Sequence, residues 1–184
     1  MLKGINVNLR VMEREDVDFA NECFNDISFW GEYDPVGAQK SKAERQKAFD
    51  NPSQVAILCE RQRFVIEKKD GTKIGFIAFW FIQPNKMMEI GYHLILNERG
   101  KGYGTEAVQL VVDYLFLSKD LVRIQAITDV RNKASQKVLE KAGFQREGTI
   151  RKSGFVRGEW SNGYLYSILR EEWKEPKILT KHSK

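Results

Sequence analysis

The chain has 184 residues, of which 42% are hydrophobic and 30% charged, a composition typical of a soluble globular domain with a substantial core. The net charge is +5, but the basic residues are scattered and form no arginine-rich arm, which argues against nucleic-acid binding. No apolar run reaches the length of a membrane span, and Cys23 and Cys59 lack metal-ligand spacing. The charged first twenty residues show no signal peptide. We therefore expect a cytoplasmic protein with no membrane, nucleic-acid or metal partner.

The first half of the chain predicts a strand and two helices, followed by an antiparallel meander. Apolar residues alternate over 5–11, as in a half-buried strand, and recur with helical spacing over 13–25. Residues 28–37 predict a loop with three aromatic side chains, and 41–49 a short polar helix. Three strands are predicted over 64–68, 73–81 and 87–96. Asp70-Gly71 turns the first hairpin and Pro84-Asn85 the second.

The second half predicts alternating helices and strands. Helices are expected over 105–117 and 132–142, and strands over 121–130, 144–155 and 164–171. A helix connects strand 87–96 to strand 121–130, so the two strands should be parallel. The expected fold is α/β, with a mixed, mostly antiparallel sheet of about six or seven strands and helices on both faces. Residues 1–174 form one predicted domain, and 175–184 form a solvated basic tail.

A glycine-rich turn, Arg99-Gly100-Lys101-Gly102-Tyr103-Gly104-Thr105, separates a predicted strand from a predicted helix. Glycines let the backbone approach a ligand closely, and the free N–H groups of a first helical turn bind anions. The spacing lacks the lysine of a Walker A loop and the third glycine of a dinucleotide fingerprint. The turn therefore predicts a site for a phosphorylated cofactor of another kind.

Three segments in order resemble the GNAT acetyltransferases. Arg99-x-x-Gly102-x-Gly104 resembles their acetyl-CoA pyrophosphate loop, and the helix from Asn132 and Ser135 to Gly143-Phe144 resembles their later motif. Residues 157–173 resemble the closing hairpin of the RimJ/RimL branch. The resemblance implies an N-acetyltransferase with a splayed central parallel strand pair and acetyl-CoA as cosubstrate, without a metal. The acceptor it implies is a protein N-terminus, a polyamine or another small amine.

The resemblance also implies which residues hold the cofactor. The pantetheine arm would bond backbone groups of the strand before the loop, and its phosphates would lie against the glycine turn. Asn132 would bind the pantetheine amides or cap its helix, and Tyr103 would flank the adenine or merely cover the loop. The implied set is Leu94, Leu96, Arg99, Gly100, Lys101, Gly102, Tyr103, Gly104, Thr105, Asn132 and Ser135.

Acetyl transfer to an amine needs a base, because an alkyl ammonium has a pKa of about 10. Glu89 is the predicted base, since it is a lone carboxylate in an apolar strand. Alternatively it pairs with a surface lysine. Alternation places Glu89, Gly91 and His93 on one face, and His93 is the alternative base.

The proton donor to the leaving thiolate departs from the family pattern. Leu139 stands where many members have a tyrosine, so Ser135 is the predicted donor, or else a plain first-turn serine. The missing tyrosine also leaves open a CoA-binding module with little or no turnover.

The acceptor site is predicted from aromatic residues and a histidine. Trp30 and Tyr33 would form a substrate wall or would fill the core instead. His93 on the strand and Trp160 in the last hairpin are the other predicted acceptor contacts. The apolar content of that hairpin is compatible with either a monomer or a homodimer.

Overall fold

A computed structural model describes residues 1–83 and 86–179 and contains one mixed sheet. In these residues the sheet has eight strands in the order β1-β2-β3-β4-β5-β6-β8-β7. The strands are β1 (Leu2–Lys3), β2 (Val7–Val11), β3 (Gln62–Lys68), β4 (Lys73–Gln83), β5 (Met87–Leu94), β6 (Arg123–Asp129), β7 (Gln145–Val156) and β8 (Glu159–Leu169). The mixed α/β fold is confirmed. The eighth strand is β1, which is too short to show alternation. The turn predicted at Pro84-Asn85 lies outside the described residues.

Six helices in the described residues connect the strands. They are α1 (Val17–Asn25), α2 (Ile27–Trp30), α3 (Lys42–Asp50), α4 (Gln54–Leu58), α5 (Tyr103–Ser118) and α6 (Lys133–Ala142). The sequence missed α2 and α4, which have only four and five residues. Each begins at a capping side chain: Asp26 accepts from the Ser28 N–H, and Ser53 from the Ala56 N–H. Residues 28–37 are therefore helical at their start rather than loop throughout.

Helices cover both faces of the sheet, as predicted. On one face, here the α5 face, α5 and α6 pack on a large core that includes Ile77, Phe79 and Leu139. On the opposite face, here the α1 face, α1 and α2 pack on a smaller aromatic core built around Phe24 and Phe76. The long apolar strand β4 contributes side chains to both cores, which explains why its sequence is apolar at nearly every position.

The segment after β8 packs on the domain rather than extending into solvent. The buried Asp113 carboxylate on α5 accepts hydrogen bonds from the Trp173 indole and from the backbone N–H groups of residues 177–179, at 2.7–3.2 Å. Ile178 is buried in the main core. The predicted solvated tail is therefore wrong for residues 177–179, because a carboxylate sixty-four residues upstream of Lys177 binds their amides. Lys181 and Lys184 lie outside the described residues.

We expect Asp113→Ala to lower the free energy of unfolding by about 2–4 kcal/mol, because several buried N–H donors lose their charged acceptor. Urea denaturation followed by tryptophan fluorescence measures the change. Asp120→Ala is the matched control, since the Asp120 side chain is 81% exposed and forms an ion pair with Lys86 at the surface. That control should cost less than about 0.5 kcal/mol. Equal losses for the two variants would contradict the assigned role.

Candidate active site

The turn from residue 99 to residue 105 has free donors. Gly100 and Gly102 have φ of 76° and 89°, in the left-handed region that favours glycine, and Gly102 is the N-cap of α5. The first backbone bond of the helix runs from the Glu106 N–H to the Gly102 carbonyl, at 3.1 Å. Within the described residues, the amides of residues 100–105 have no acceptor. A cluster of unbonded N–H groups at a helix start is an anion site.

The Arg99 side chain points away from this turn. Its Nε donates to the Leu94 carbonyl at 2.9 Å, and its Nη2 donates to the carbonyls of Ser28 at 3.2 Å and Phe29 at 2.7 Å. Arg99 belongs to the cofactor set that the resemblance implies, but its guanidinium fastens α2 to the end of β5 instead of lying at the turn. Lys101 does lie at the turn, and its ammonium is 3.0 Å from the Glu98 carboxylate.

The parallel strands β5 and β6 pair over only three residues and then separate. Their last pair is Glu89 with Gln125. Beyond it, β5 continues beside β4 as far as Leu94, and β6 continues beside β8 as far as Asp129. The predicted splayed pair is thus confirmed, and the gap opens towards the glycine turn.

Backbone groups of β5 face this gap at alternate positions. The Ile95 N–H bonds to Ile74 on the β4 side, so the peptide groups of Leu94 and Tyr92 face the β6 side. The Leu94 carbonyl is already bonded to Arg99. Leu96 lies past the strand, in a 3-10 turn, and its carbonyl accepts from the Arg99 N–H. The strand therefore ends two residues earlier than predicted.

A tyrosine that the sequence reading missed closes one side of the gap. The Tyr92 hydroxyl lies 2.9 Å from the Ser135 Oγ and 3.3 Å from its carbonyl oxygen. Burial raises the pKa of the Tyr92 phenol well above its usual range, so the phenol stays protonated at neutral pH. Asn132 caps α6 by accepting from the Ser135 N–H at 3.0 Å. The sequence did contain a signal for Tyr92: it lies two residues before Leu94 on the same strand, so both side chains lie on one face and both backbone groups face the gap.

The candidate base and its alternative lie on the α1 face. Glu89 pairs across the sheet with Trp80, and its carboxylate accepts from the Gln125 side chain at 2.8 Å. The alternative of a surface lysine partner is not seen within the described residues. His93 lies on the same face, with its Nε2 3.5 Å from an Asp34 carboxylate oxygen.

The predicted acceptor residues lie around His93 and at the last hairpin. The half-buried Trp30 ring packs 5.1 Å from the His93 ring and donates to the Phe24 carbonyl. It therefore belongs both to the aromatic core and to the wall beside the strand. The Tyr33 ring lies 5.6 Å from the Arg131 guanidinium. Trp160 is 61% exposed.

The remaining loop residues support the turn. The Tyr103 ring is half-buried against the main core, beneath the glycine turn. Gly104 is buried at the start of α5, and a Cβ there would meet Leu94 and Val138 at 3.7 Å. Thr105 occupies the first turn of the same helix. These positions set the direction of α5 relative to the open amides.

A glycine turn with free amides, next to an unpaired strand edge, defines a class of protein that binds a phosphorylated cofactor along a split sheet. Residues 6–145 match the family model described as acetyltransferase (GNAT) domain. The chain therefore belongs to the GNAT family of acetyltransferases.

Two relatives and a solved structure agree with this assignment. The uncharacterized N-acetyltransferase p20 of Bacillus licheniformis is 32% identical over 169 residues, covering 91% of this chain and 94% of the relative. Spermidine N(1)-acetyltransferase of Escherichia coli K12 is 28% identical over 172 residues, covering 91% and 88%. The structure of ribosomal-protein-S5-alanine acetyltransferase from Vibrio fischeri has a TM-score of 0.81 at 23% identity, covering 94% and 98%. The resemblance to the GNAT acetyltransferases is confirmed, and the chain is an acetyl-CoA-dependent N-acetyltransferase.

Across 1–83 and 86–179, no helix combines the length and apolar character needed to span a bilayer. In the same ranges, no three His, Cys, Asp or Glu side chains are grouped as metal ligands.

We expect Gly102→Glu to weaken acetyl-CoA binding by about 100-fold or more, because the new carboxylate would repel the cofactor's phosphates at the open amides. Isothermal titration calorimetry measures the dissociation constant. Gly71→Glu is the matched control: both glycines have positive φ, 85° and 89°, and a Cβ at either meets nothing within 4 Å. Similar weakening in both variants would show that backbone strain is the cause and would remove the turn as the phosphate site.

Proposed function

We propose that the protein moves the acetyl group of acetyl-CoA to a primary amine, which attacks the thioester directly. The observation that carries this proposal is the position of Glu89 at the last paired residue of β5 and β6, where the gap begins. In the proposed complex the pyrophosphate lies on the amides of residues 100–105 and the pantetheine arm lies along β5. The thioester then reaches the closed end of the gap, beside Glu89.

Holding the amine and the thioester together supplies much of the rate, up to about 7–11 kcal/mol of the barrier. In the proposed reaction, Glu89 takes the ammonium proton directly or through water, and the amine nitrogen bonds to the acetyl carbon. The carbon–sulfur bond then breaks, the nitrogen gives up its second proton to become the neutral amide, and that proton passes through the Ser135 hydroxyl to the departing thiolate, so that CoA leaves as the thiol. A backbone N–H of Tyr92 or Leu94, facing the gap, stabilises the developing oxyanion.

Ser135 is the proposed proton donor to the thiolate. The Tyr92 and Ser135 hydroxyls are 2.9 Å apart and either can donate; in the proposed reaction the protonated phenol donates to the Ser135 Oγ, which leaves the serine hydroxyl hydrogen free to point into the gap. Leu139, at the position of the family's tyrosine, is fully buried in the main core and does not line the gap. The Tyr92–Ser135 pair therefore supports turnover over a CoA-binding module without chemistry.

The acceptor differs among the proteins to which this chain is similar. One relative is named for spermidine and one solved structure for an alanine of ribosomal protein S5. Both acceptors contain an amine, and we propose an amine acceptor of this general kind here. The α1 face, with Glu89, His93 and Trp30, is the proposed acceptor side.

We expect Glu89→Gln to lower kcat about 10²–10⁴-fold at pH 7, with unchanged acetyl-CoA affinity, because the amine loses its base. The deficit should shrink to less than about 10-fold at pH 10, where about half of an amine with a pKa of about 10 is already deprotonated. CoA thiol release against pH measures both. Glu67→Gln, which alters a β3 carboxylate paired with Arg10, is the control and should behave as wild type. If Glu89→Gln kept the wild-type kcat and His93→Gln showed this pH-dependent loss of kcat, His93 would be the base instead.

We expect Ser135→Ala to lower kcat by about 10–100-fold, and Tyr92→Phe to lower it less, because the phenol acts only through the serine. The double variant should be no slower than Ser135→Ala, since residues acting as a unit are not additive. Single-turnover acetyl transfer measures the three rates. Ser118→Ala, which removes an exposed hydroxyl at the end of α5, is the control. Additive losses would show that the two hydroxyls act independently.

A further inference from the structure

A group of three arginines lies on the α1 face beside the proposed acceptor side. Arg63 on β3 pairs with Ala78, and Ala78 pairs with Gly91, two residues from Glu89. Arg61 immediately precedes β3. Arg45 lies on α3. Arg63 and Gly91 are two strand spacings apart, about 10 Å, with Ala78 between them and the Trp80 ring lying against Gly91.

Aromatic rings hold all three guanidiniums. The Arg63 guanidinium carbon is 4.7 Å from the Phe24 ring centroid, and the Arg45 guanidinium carbon is 5.4 Å from the same centroid. The Arg61 guanidinium carbon is 5.1 Å from the Trp80 ring, and Trp80 is the cross-strand neighbour of Glu89. Stacking on aromatic faces fixes a guanidinium while leaving its N–H donors free.

No carboxylate neutralises this group within the described residues. Other arginines, such as Arg10 and Arg123, form ion pairs with acidic side chains. Arg45 donates only to the amide oxygens of Asn21 and Asn25, whereas the side chains of Arg61 and Arg63 donate no hydrogen bond in the part of the chain described.

Arg63 is the member of the group that most needs an anion. Burial, together with the positive charges of Arg61 and Arg45, lowers its pKa to about 10, so it still carries its charge at neutral pH. A desolvated charge without a partner is costly. Every fully buried side-chain nitrogen or oxygen in the described residues has a hydrogen-bond partner. The unbonded nitrogens of Arg63 are therefore not fully buried and keep contact with solvent.

We infer that Arg63, supported by Arg61 and Arg45, binds a carboxylate of the acceptor, so that the substrate is an amine that also bears an acid group. This inference rests on the proposed function and narrows its acceptor. Arginine binds carboxylates through two parallel hydrogen bonds, which would orient the amino group of a small amino acid towards Glu89. A polyamine would place a second ammonium against three guanidiniums and would be repelled.

The test compares acceptors that differ only in the acid group. Wild-type enzyme is assayed by CoA thiol release with free α- and ω-amino acids, each paired with its carboxamide, and with spermidine. We expect at least one acid to exceed its carboxamide by about 30-fold or more in kcat/KM, with spermidine poorer still. Arg63→Met should reduce that acid to the rate of its carboxamide. Arg146→Met, which removes a guanidinium stacked 4.6 Å from the Tyr164 ring, is the matched control and should keep the preference.

A binding measurement makes the result independent of turnover. Isothermal titration calorimetry measures the binding of the N-acetylated amino acids and of their carboxamides to the enzyme without acetyl-CoA. We expect at least one N-acetylated acid to bind to the wild type and to Arg146→Met but not to Arg63→Met. Carboxamides or spermidine used as well as the acids would overturn this inference and leave the proposed function standing. If no amine is acetylated although acetyl-CoA binds, the proposed function fails. Calorimetry then decides the arginine site, and absence of acid-specific binding overturns it too.

Discussion

The shortness of the parallel pairing between β5 and β6 is the constraint on which the site depends. After Glu89 and Gln125 each strand keeps its outer antiparallel neighbour, β4 or β8, and loses its inner one. Backbone N–H and C=O groups are strong hydrogen-bonding groups, so an unpaired edge inside a sheet favours a ligand with amide groups of its own. The gap therefore suits an extended, amide-containing arm and the glycine turn suits phosphates, which is the cofactor placement that we propose.

Arg99 connects this gap to the acceptor side. In sequence it belongs to the phosphate motif, but its guanidinium bonds the end of β5 and two carbonyls of α2. The loop after α2 is bound in turn by Arg157 of the last hairpin, which donates to the carbonyls of Gly31 and Ile27. Cofactor turn, strand end and acceptor wall are thus joined by hydrogen bonds. A change in one is expected to be felt in the others.

What the sequence predicted well depends on interactions within a few residues. The cap at Asn132, the helix end at Gly143 with φ of 104°, and the turn at Gly71 were all recognisable locally. Two of the three partners of the Arg99 side chain lie about seventy residues away, and Tyr92 and Ser135 are separated by forty-three. Such pairs are set by tertiary packing and leave no periodic signal.

The other misses have the same kind of cause. The very short elements β1, α2 and α4 contain too few residues for a period to show. The amides of residues 177–179 reveal nothing in sequence of the carboxylate that binds them. The net charge counts every arginine equally. It could not distinguish arginines in ion pairs from Arg45, Arg61 and Arg63, because ion pairs depend on contacts that only the folded structure shows.

Acidic side chains and unpaired arginines lie at opposite sides of the α1 face. Carboxylates of Glu89 and Asp34 lie along β5, while Arg61 and Arg63 lie two strands away. Such a face stabilises a molecule whose ammonium lies against the acidic side and whose carboxylate lies against the arginines. Because both guanidiniums of the positive side are stacked on rings, that side favours an anion without first having to be ordered. The same arrangement opposes a molecule with cations at both ends, so acceptor choice here follows from charge order rather than from the shape of the fold.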